Sequence, residues 1–428
     1  MASRHRVVIV GGGFGGLYAA QALAKADVQV TLIDHRNFHL FQPLLYQVAT
    51  GGLSPANIAA PLRAVLKRQR NTRVLLGEVI NFDLERRLVI LKDGTEPYDS
   101  LIVAAGSRHH YFGHPEWEQF APGLKSIEDA TIIRRRILLA FELAERCTDP
   151  EECRALMTFV IVGGGPTGVE LAGAIGEVAH ATLRGNFRSI DPAQARIILL
   201  EGLDRILSTY PPKLSAKAVQ ALQRLGVTVR TNTRVTDVQA GQVTIRCGDQ
   251  TETIRAHTVL WAAGVEASPL AKALAQASGA ELDRAGRIIV QPDLTLPGHP
   301  EVFVLGDMAN YPYQGGKPLP GLAPVAMQQG RYAADLIQRR LRGAPSAPFH
   351  YHDRGSMATI GRAAAVADLG WITFSGLIAW LVWLFIHIIY LIEFENRILV
   401  LFQWAWNYFT RNRTARLITG ADANEKRT

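Results

Sequence analysis

The chain is poor in cysteine: of 428 residues only Cys147, Cys153 and Cys247 carry a thiol, with no CxxC spacing and no even count. That excludes a secreted fold stapled by disulfides and points to a reducing compartment. Runs that interleave basic and aromatic residues are also missing, and KRQR at 67–70 is short enough to be a solvated helix face, so nucleic acid is not an expected partner. No secretory leader is expected either, because the apolar stretch behind the basic start continues into glycines and an acid-ended strand that belong to a folded unit. Present in excess is positive charge, +8 overall, which suits an anionic partner such as a nucleotide or an acidic lipid surface.

A chain of this length predicts two domains and an appendage. Residues 7–20 read VVIVGGGFGGLYAA, and a close copy, FVIVGGGPTGVELAGA, begins at Phe159. Each reads as strand, glycine turn and helix, followed by a strand that ends on an acid, Asp34 or Glu201. In GxGxxG the first glycine permits the tight turn, the second lets backbone approach a pyrophosphate, and the third lets helix and strand pack closely. The helix N-terminus then faces the phosphates. Gly11, Gly13 and Gly16 satisfy the pattern with Asp34 as the ribose acceptor; Gly163, Gly165 and Gly168 satisfy it with Glu201. The carboxylate of Glu201 repels a 2′-phosphate and favours NAD over NADP, although Arg205 lies nearby. Two dinucleotide sites imply FAD plus NADH, since hydride passes between them when the rings stack and the protein supplies the positioning. Further strand signals at 72–79, 87–94, 100–107, 228–238, 258–265 and 301–309 alternate with helical segments at 128–146 and 212–225, which predicts α/β layers with parallel sheets.

With these motifs the chain resembles the two-dinucleotide flavoprotein superfamily and, within it, the type II NADH dehydrogenases, membrane-bound NADH:quinone oxidoreductases that do not pump protons. The resemblance covers essentially the whole chain. It implies an α/β fold of two Rossmann-like dinucleotide-binding domains, the second inserted in the first, plus a C-terminal helical membrane-anchoring segment. The implied division is 1–115 and 291–365 for FAD, 116–290 for NADH and 366–428 for the anchor. Gly11, Gly13, Gly16 and Asp34 fall to FAD, and Gly163, Gly165, Gly168, Glu170 and Glu201 to NADH. HLFQPLLYQVATG (39–51) resembles the segment along the isoalloxazine, with Pro43 and Thr50 as its contacts. LIVAAGS resembles the strand end at the FAD pyrophosphate, placing Ala105 and Gly106 beside it, and VFVLGDMA resembles the late signature in which Asp307 binds the ribityl chain.

APVAMQQGRYAADLIQRRL (323–341) resembles the family's quinone-site helix, whose pattern is AQxAxQ. Pro324 stands where the first glutamine usually lies, so Gln328 and Gln329 are the candidate quinone contacts, with plain helix polar residues as the alternative reading. Proline at a helix start loses no hydrogen bond, and the positive end of this helix would favour a reduced, anionic flavin. Glu170 either helps position the nicotinamide or makes a structural bond. No metal is expected. Related disulfide reductases and sulfide:quinone oxidoreductases need cysteines against the flavin, whereas segment 39–60 has none and none follows Cys247. Cys147 and Cys153 are expected to be thiols, and electrons to leave by direct contact between flavin and acceptor.

From residue 371 to 392, WITFSGLIAWLVWLFIHIIYLI, no formal charge appears; a second apolar stretch, 398–413, follows the charged joint 393–397. The run is long enough to cross a bilayer. A span would, however, place Arg397, Arg411, Arg413 and Arg416 outside, against the positive-inside tendency. Two helices lying in one leaflet, with these arginines on acidic headgroups, avoid that. A monotopic anchor on the cytoplasmic face of the cell membrane is therefore expected over a single span, with a homodimer paired through the same region. The expected activity moves electrons from NADH through FAD to a membrane quinone. The alternatives are a tethered NADH-binding sensor flavoprotein and an NADH:ferredoxin-type reductase, the latter disfavoured by the tail.

Overall fold

A computed structural model describes residues 4–392, 394–410 and 413–420. Glu393 of the charged joint, Arg411, and 421–428 at the end of the anchor segment lie outside the described residues. The chain forms two compact units. The first takes the chain up to Leu40 with Ala59–Arg108 and Val265–Asp353; the second takes Phe41–Ile58, His109–Gly264 and the chain from Arg354 onward. In chain order the helices that carry the site are α1 (Phe14–Ala22), α2 (Leu45–Ala49), α3 (Ile127–Glu145), α4 (Pro166–Glu177), α5 (Ala323–Leu341), α6 (Leu377–Tyr390) and α7 (Phe394–Thr410).

The first unit is built on a six-stranded sheet in the order Thr295–Leu296, His299–Val304, Ser100–Val103, His5–Val10, Val28–Asp34, Thr72–Leu76. From His299–Val304 onward the neighbours run parallel. Val7, Val8 and Ile9 are wholly buried, as an unbroken apolar run must be when both faces of a parallel sheet are covered. The helix α5 lies directly on α1, because Gly330 has no side chain to meet the Gly15 carbonyl.

The second unit repeats the scheme with a parallel sheet in the order Val227–Arg230, Arg196–Leu200, Thr158–Val162, Thr258–Trp261. The antiparallel sheet Ser356–Gly361, Ala364–Asp368, Thr373–Gly376 lies against α4. A Cβ at Gly173 would run into the Ile360 carbonyl, so this glycine is what lets helix and strand touch.

The charge-free run 371–392 is not one helix. Thr373–Gly376 pairs with Ala364–Asp368 as a strand, and Gly376, at φ +79°, turns the chain into α6. That leaves 14 residues in α6, about 21 Å of helix against a hydrocarbon core of about 30 Å. Among the described residues no helix is long and apolar enough to cross a membrane. Leu377, Leu381, Phe385 and Ile389 form an exposed stripe on α6, while Ala379 and Trp383 face inward; Phe402, Trp406 and Phe409 are exposed on α7.

Two expectations are corrected. Cys147 and Cys153 are joined in a disulfide, with Cα atoms 5.6 Å apart, because the end of α3 and the first turn of the helix Pro150–Leu156 bring them within bridging range. Arg413 does not reach outward to headgroups: its side chain is 12% exposed and paired with Glu177, since α7 leads the chain back into the second unit.

Candidate active site

The first glycine turn is built as a phosphate cradle. Gly11 sits at φ +103°, where a Cβ would strike the Ala104 carbonyl, and a Cβ on Gly16 would strike the Gly11 carbonyl. At Gly13 a Cβ would meet nothing within 4 Å, so this glycine serves an approach from outside the fold rather than internal packing. The helix α1 starts on Gly13 with no side-chain cap and no acid in its first turn, so no carboxylate of its own competes with an anion there. By contrast α3 is closed by a capping box from Ser126 and Asp129. Asp34 accepts the Gly12 N–H at 2.5 Å. Burial opposes its ionisation, but hydrogen bonds from His35 and from the Gly12 and Arg36 N–H groups outweigh it and hold the carboxyl below the usual range.

Around this cradle the first unit gathers other expected residues. Ala105 N–H meets Met308 Sδ at 3.2 Å, Gly106 adopts φ +69°, and Ser107 donates to Asp307 Oδ2 at 2.5 Å. Gln329 is 1% exposed, and its Oε1 accepts the Gly306 N–H at 2.7 Å beside Asp307. Gln328 pairs with the backbone N–H and carbonyl of His352, both at 3.0 Å. Both amides thus hold backbone. The helix α5 begins at Ala323 with Pro324 in its first turn, as expected.

The second turn copies the first. Gly163 sits at φ +107° against Ala262, Gly168 packs on the Gly163 carbonyl, and a Cβ on Gly165 meets nothing within 4 Å. The uncapped helix here is α4, starting on Gly165. Glu201 accepts the Gly164 N–H at 2.6 Å and the Leu203 N–H at 2.8 Å. Arg205 donates to the Ser208 and Tyr210 carbonyls, so its fork is held by backbone and not directed at a 2′-phosphate. Both cradles fit a dinucleotide pyrophosphate.

Sequence reading did not find the cavity of about 350 Å³ in the second unit, between α4, the loop after α2, the strand Ser356–Gly361 and the anchor helices. Glu170 lines it, and takes a hydrogen bond from the Thr359 backbone N–H. Burial pushes its carboxyl up to about 8, with that hydrogen bond only partly opposing. Beside it Tyr46 is 7% exposed and accepts the Gln47 amide at 2.9 Å; burial, then the charge of Glu170, drives its phenol well above the usual range. Glu177, about two turns further along α4, completes that wall with Arg413. Two further lining residues hold buried ring nitrogens with no partner among the described residues, Trp383 Nε1 and His180 Nε2. Thr50, expected at the flavin, is buried with its hydroxyl on the Tyr46 carbonyl, and Pro43 lies in the 3₁₀ turn Gln42–Leu44. The advance signal for this cavity was Glu170 itself, a carboxylate set among apolar neighbours on α4.

Fold and paired cradles together define a two-dinucleotide oxidoreductase. Residues 5–330 match the family model described as pyridine nucleotide-disulphide oxidoreductase, and residues 353–412 match the NDH2 C-terminal domain. The chain is 51% identical to the type II NADH:quinone oxidoreductase NdhA of Mycobacterium tuberculosis over 97% of its own length and 90% of that relative. It is 49% identical to the type II NADH:quinone oxidoreductase Ndh of the same organism, over 98% and 91%. A solved structure of NDH2 from Plasmodium falciparum in complex with NADH superposes with a TM-score of 0.87 at 20% identity, covering 97% of this chain and 100% of that one. The sulfide:quinone oxidoreductase of Aquifex aeolicus gives 0.72 at 17%, covering 96% and 92%, a likeness of fold. The chain belongs to the type II NADH:quinone oxidoreductases, flavoenzymes that use FAD and NADH.

Proposed function

We propose that this chain oxidises NADH and reduces a membrane quinone, with FAD held by the first glycine turn, NADH by the second, and the quinone headgroup in the cavity beside Glu170. FAD, when bound, supplies the two-electron relay between donor and acceptor. In sum NADH, one proton from solvent and quinone give NAD⁺ and hydroquinone, so the acceptor site must deliver protons as well as accept a ring. The observation that carries the reading is Glu170, a carboxyl that holds its proton near neutral pH, the poise a general acid needs. The aromatic rings of Trp380, Trp383 and Trp404 offer a face for an isoprenoid-bearing ring. Gln329 is assigned to holding Gly306 beside Asp307, and Gln328 to fixing His352, which makes both supports of the flavin side rather than quinone contacts.

The exposed stripes of α6 and α7 support a monotopic anchor: they are apolar, contiguous along each helix, and too short to cross. The enzyme is assigned to the cytoplasmic face, where NADH is supplied. Rapid mixing tests the whole reading. NADH should bleach the bound flavin absorbance of the purified holoenzyme, and a short-chain quinone should restore it; a bleached flavin that quinone leaves bleached would refute the acceptor assignment.

A further inference from the structure

Polar side chains of α7 and of the segment behind it grip one short loop. Trp404 donates its indole N–H to Gln47 Oε1 at 2.7 Å, and Asn407 Nδ2 donates to the Gly52 carbonyl at 3.1 Å. Arg413 Nη1 donates to Thr50 Oγ1 at 2.6 Å and to the Thr50 carbonyl at 3.2 Å, while Ala415 N–H meets the Gly51 carbonyl at 3.2 Å. The other arm of Arg413 reaches Glu177 Oε2, at the end of α4, at 2.7 Å. The second oxygen of Glu177 takes the Arg362 backbone N–H. The ion pair is largely withdrawn from solvent, with side chains 12% and 21% exposed. A helix that only tethers the protein to lipid needs its apolar stripe and no more; this one presents a second, polar face, on which Trp404 and Asn407 both hold residues of 47–52.

We propose that α7 and Arg413 form a positioning element for quinone reduction: the fork of Arg413 ties the loop 47–52 to the C-terminal end of α4 and so sets the width of the cavity that Glu170 lines. The proposal rests on the quinone reading of that cavity. Arginine suits the task because its planar fork donates in two directions at once, to the hydroxyl and carbonyl of Thr50 and to the carboxylate of Glu177, where the single ammonium of lysine serves one. Methionine in its place fills the volume but leaves Thr50 ungripped and Glu177 with backbone donors only.

The test uses the full-length holoenzyme in phosphatidylcholine vesicles, with a short-chain quinone as one acceptor and ferricyanide as the other. Arg413→Met is expected to raise the KM for quinone about tenfold, the order produced by sub-ångström misplacement of a substrate. The NADH:ferricyanide rate and the flavin content should stay within about twofold, because that acceptor needs no ordered cavity. Arg413→Lys, which keeps the charge and one arm, should fall between. A quinone KM at the wild-type value in Arg413→Met would overturn the proposal, as would an equal loss with both acceptors, the mark of general destabilisation. Ala174→Phe, which fills the cavity from α4, separates the two layers of the argument. If it raises the quinone KM and Arg413→Met does not, positioning alone fails; if neither raises it, the quinone reading of the cavity fails as well.

Discussion

Replacing Glu170 by glutamine keeps the shape of the side chain and an oxygen to accept the Thr359 N–H, and removes only the ability to exchange a proton. The carboxyl sits at about 8 against an ordinary 4.5. At pH 7 it is therefore about nine-tenths protonated, and glutamine is a fair copy of its resting form. The linkage has a definite sign. Because the folded protein holds this proton more tightly than the unfolded chain does, the group's contribution to stability is complete below about pH 4.5. It declines as pH rises towards 8 and is lost above that. The full span is about 5 kcal/mol as an upper limit, at about 1.4 kcal/mol per pH unit, and less to the extent that the cavity admits water. Glu170→Gln lacks this dependence. Denaturant titrations of both proteins between pH 5 and 9 should therefore show the variant gaining on the wild type by a few kcal/mol, most steeply between pH 5 and 8. In turnover the wild type should lose quinone reduction along an alkaline limb near pH 8, while the variant runs about a hundredfold slower or worse without that limb. An unchanged alkaline limb in Glu170→Gln would refute the role assigned to this carboxyl.

Charged substitutions on the outward stripes, Phe385→Glu together with Phe402→Glu, should release the protein from vesicles in flotation assays while ferricyanide reduction persists; if these side chains instead join two copies of the chain, the same substitutions would convert a dimer to a monomer in sedimentation without lipid. The two glycine roles should separate as well. Gly13→Ala should leave the melting temperature near the wild-type value yet lower flavin retention, whereas Gly16→Ala, which must push against the Gly11 carbonyl, should cost several kcal/mol or prevent folding. Equal effects of the two on stability would contradict the cradle geometry.

The cradles were legible because their pattern is local: Gly16 answers to the Gly11 carbonyl and Gly11 to Ala104 at the end of the neighbouring strand, Gly13 stands open between them, and Asp34 lies at the end of a strand that any βαβ reading would place. The same holds for Gly163, Gly165, Gly168 and Glu201. Local pattern could not show the cavity, whose walls bring Tyr46, Glu170, Thr359, Trp404 and Arg413 together from segments hundreds of residues apart. The charge-free run is longer than its helix for a related reason. Its first part is claimed by pairing of Thr373–Gly376 with Ala364–Asp368, a contact that hydropathy does not register. Arg413 looked like a headgroup ligand because its neighbours are basic, and only the return of the chain behind α7 reveals Glu177 as its partner. The glutamines 328 and 329 were expected as quinone contacts, with plain helix polar residues as the alternative; which backbone groups they satisfy depends on Gly306 and His352, a matter of packing.

On the proposed assignments, the cradle for the nicotinamide dinucleotide and the acids of the acceptor cavity belong to a single rigid rod, since α4 begins on Gly165 and carries Glu170 and Glu177 along its length. Donor and acceptor affinities are thereby mechanically yoked: a change that slides or tilts this rod alters both, so drift in one specificity drags the other with it. Altering preference for the oxidant alone would have to come from the opposing wall, supplied by α6, α7 and the segment behind them.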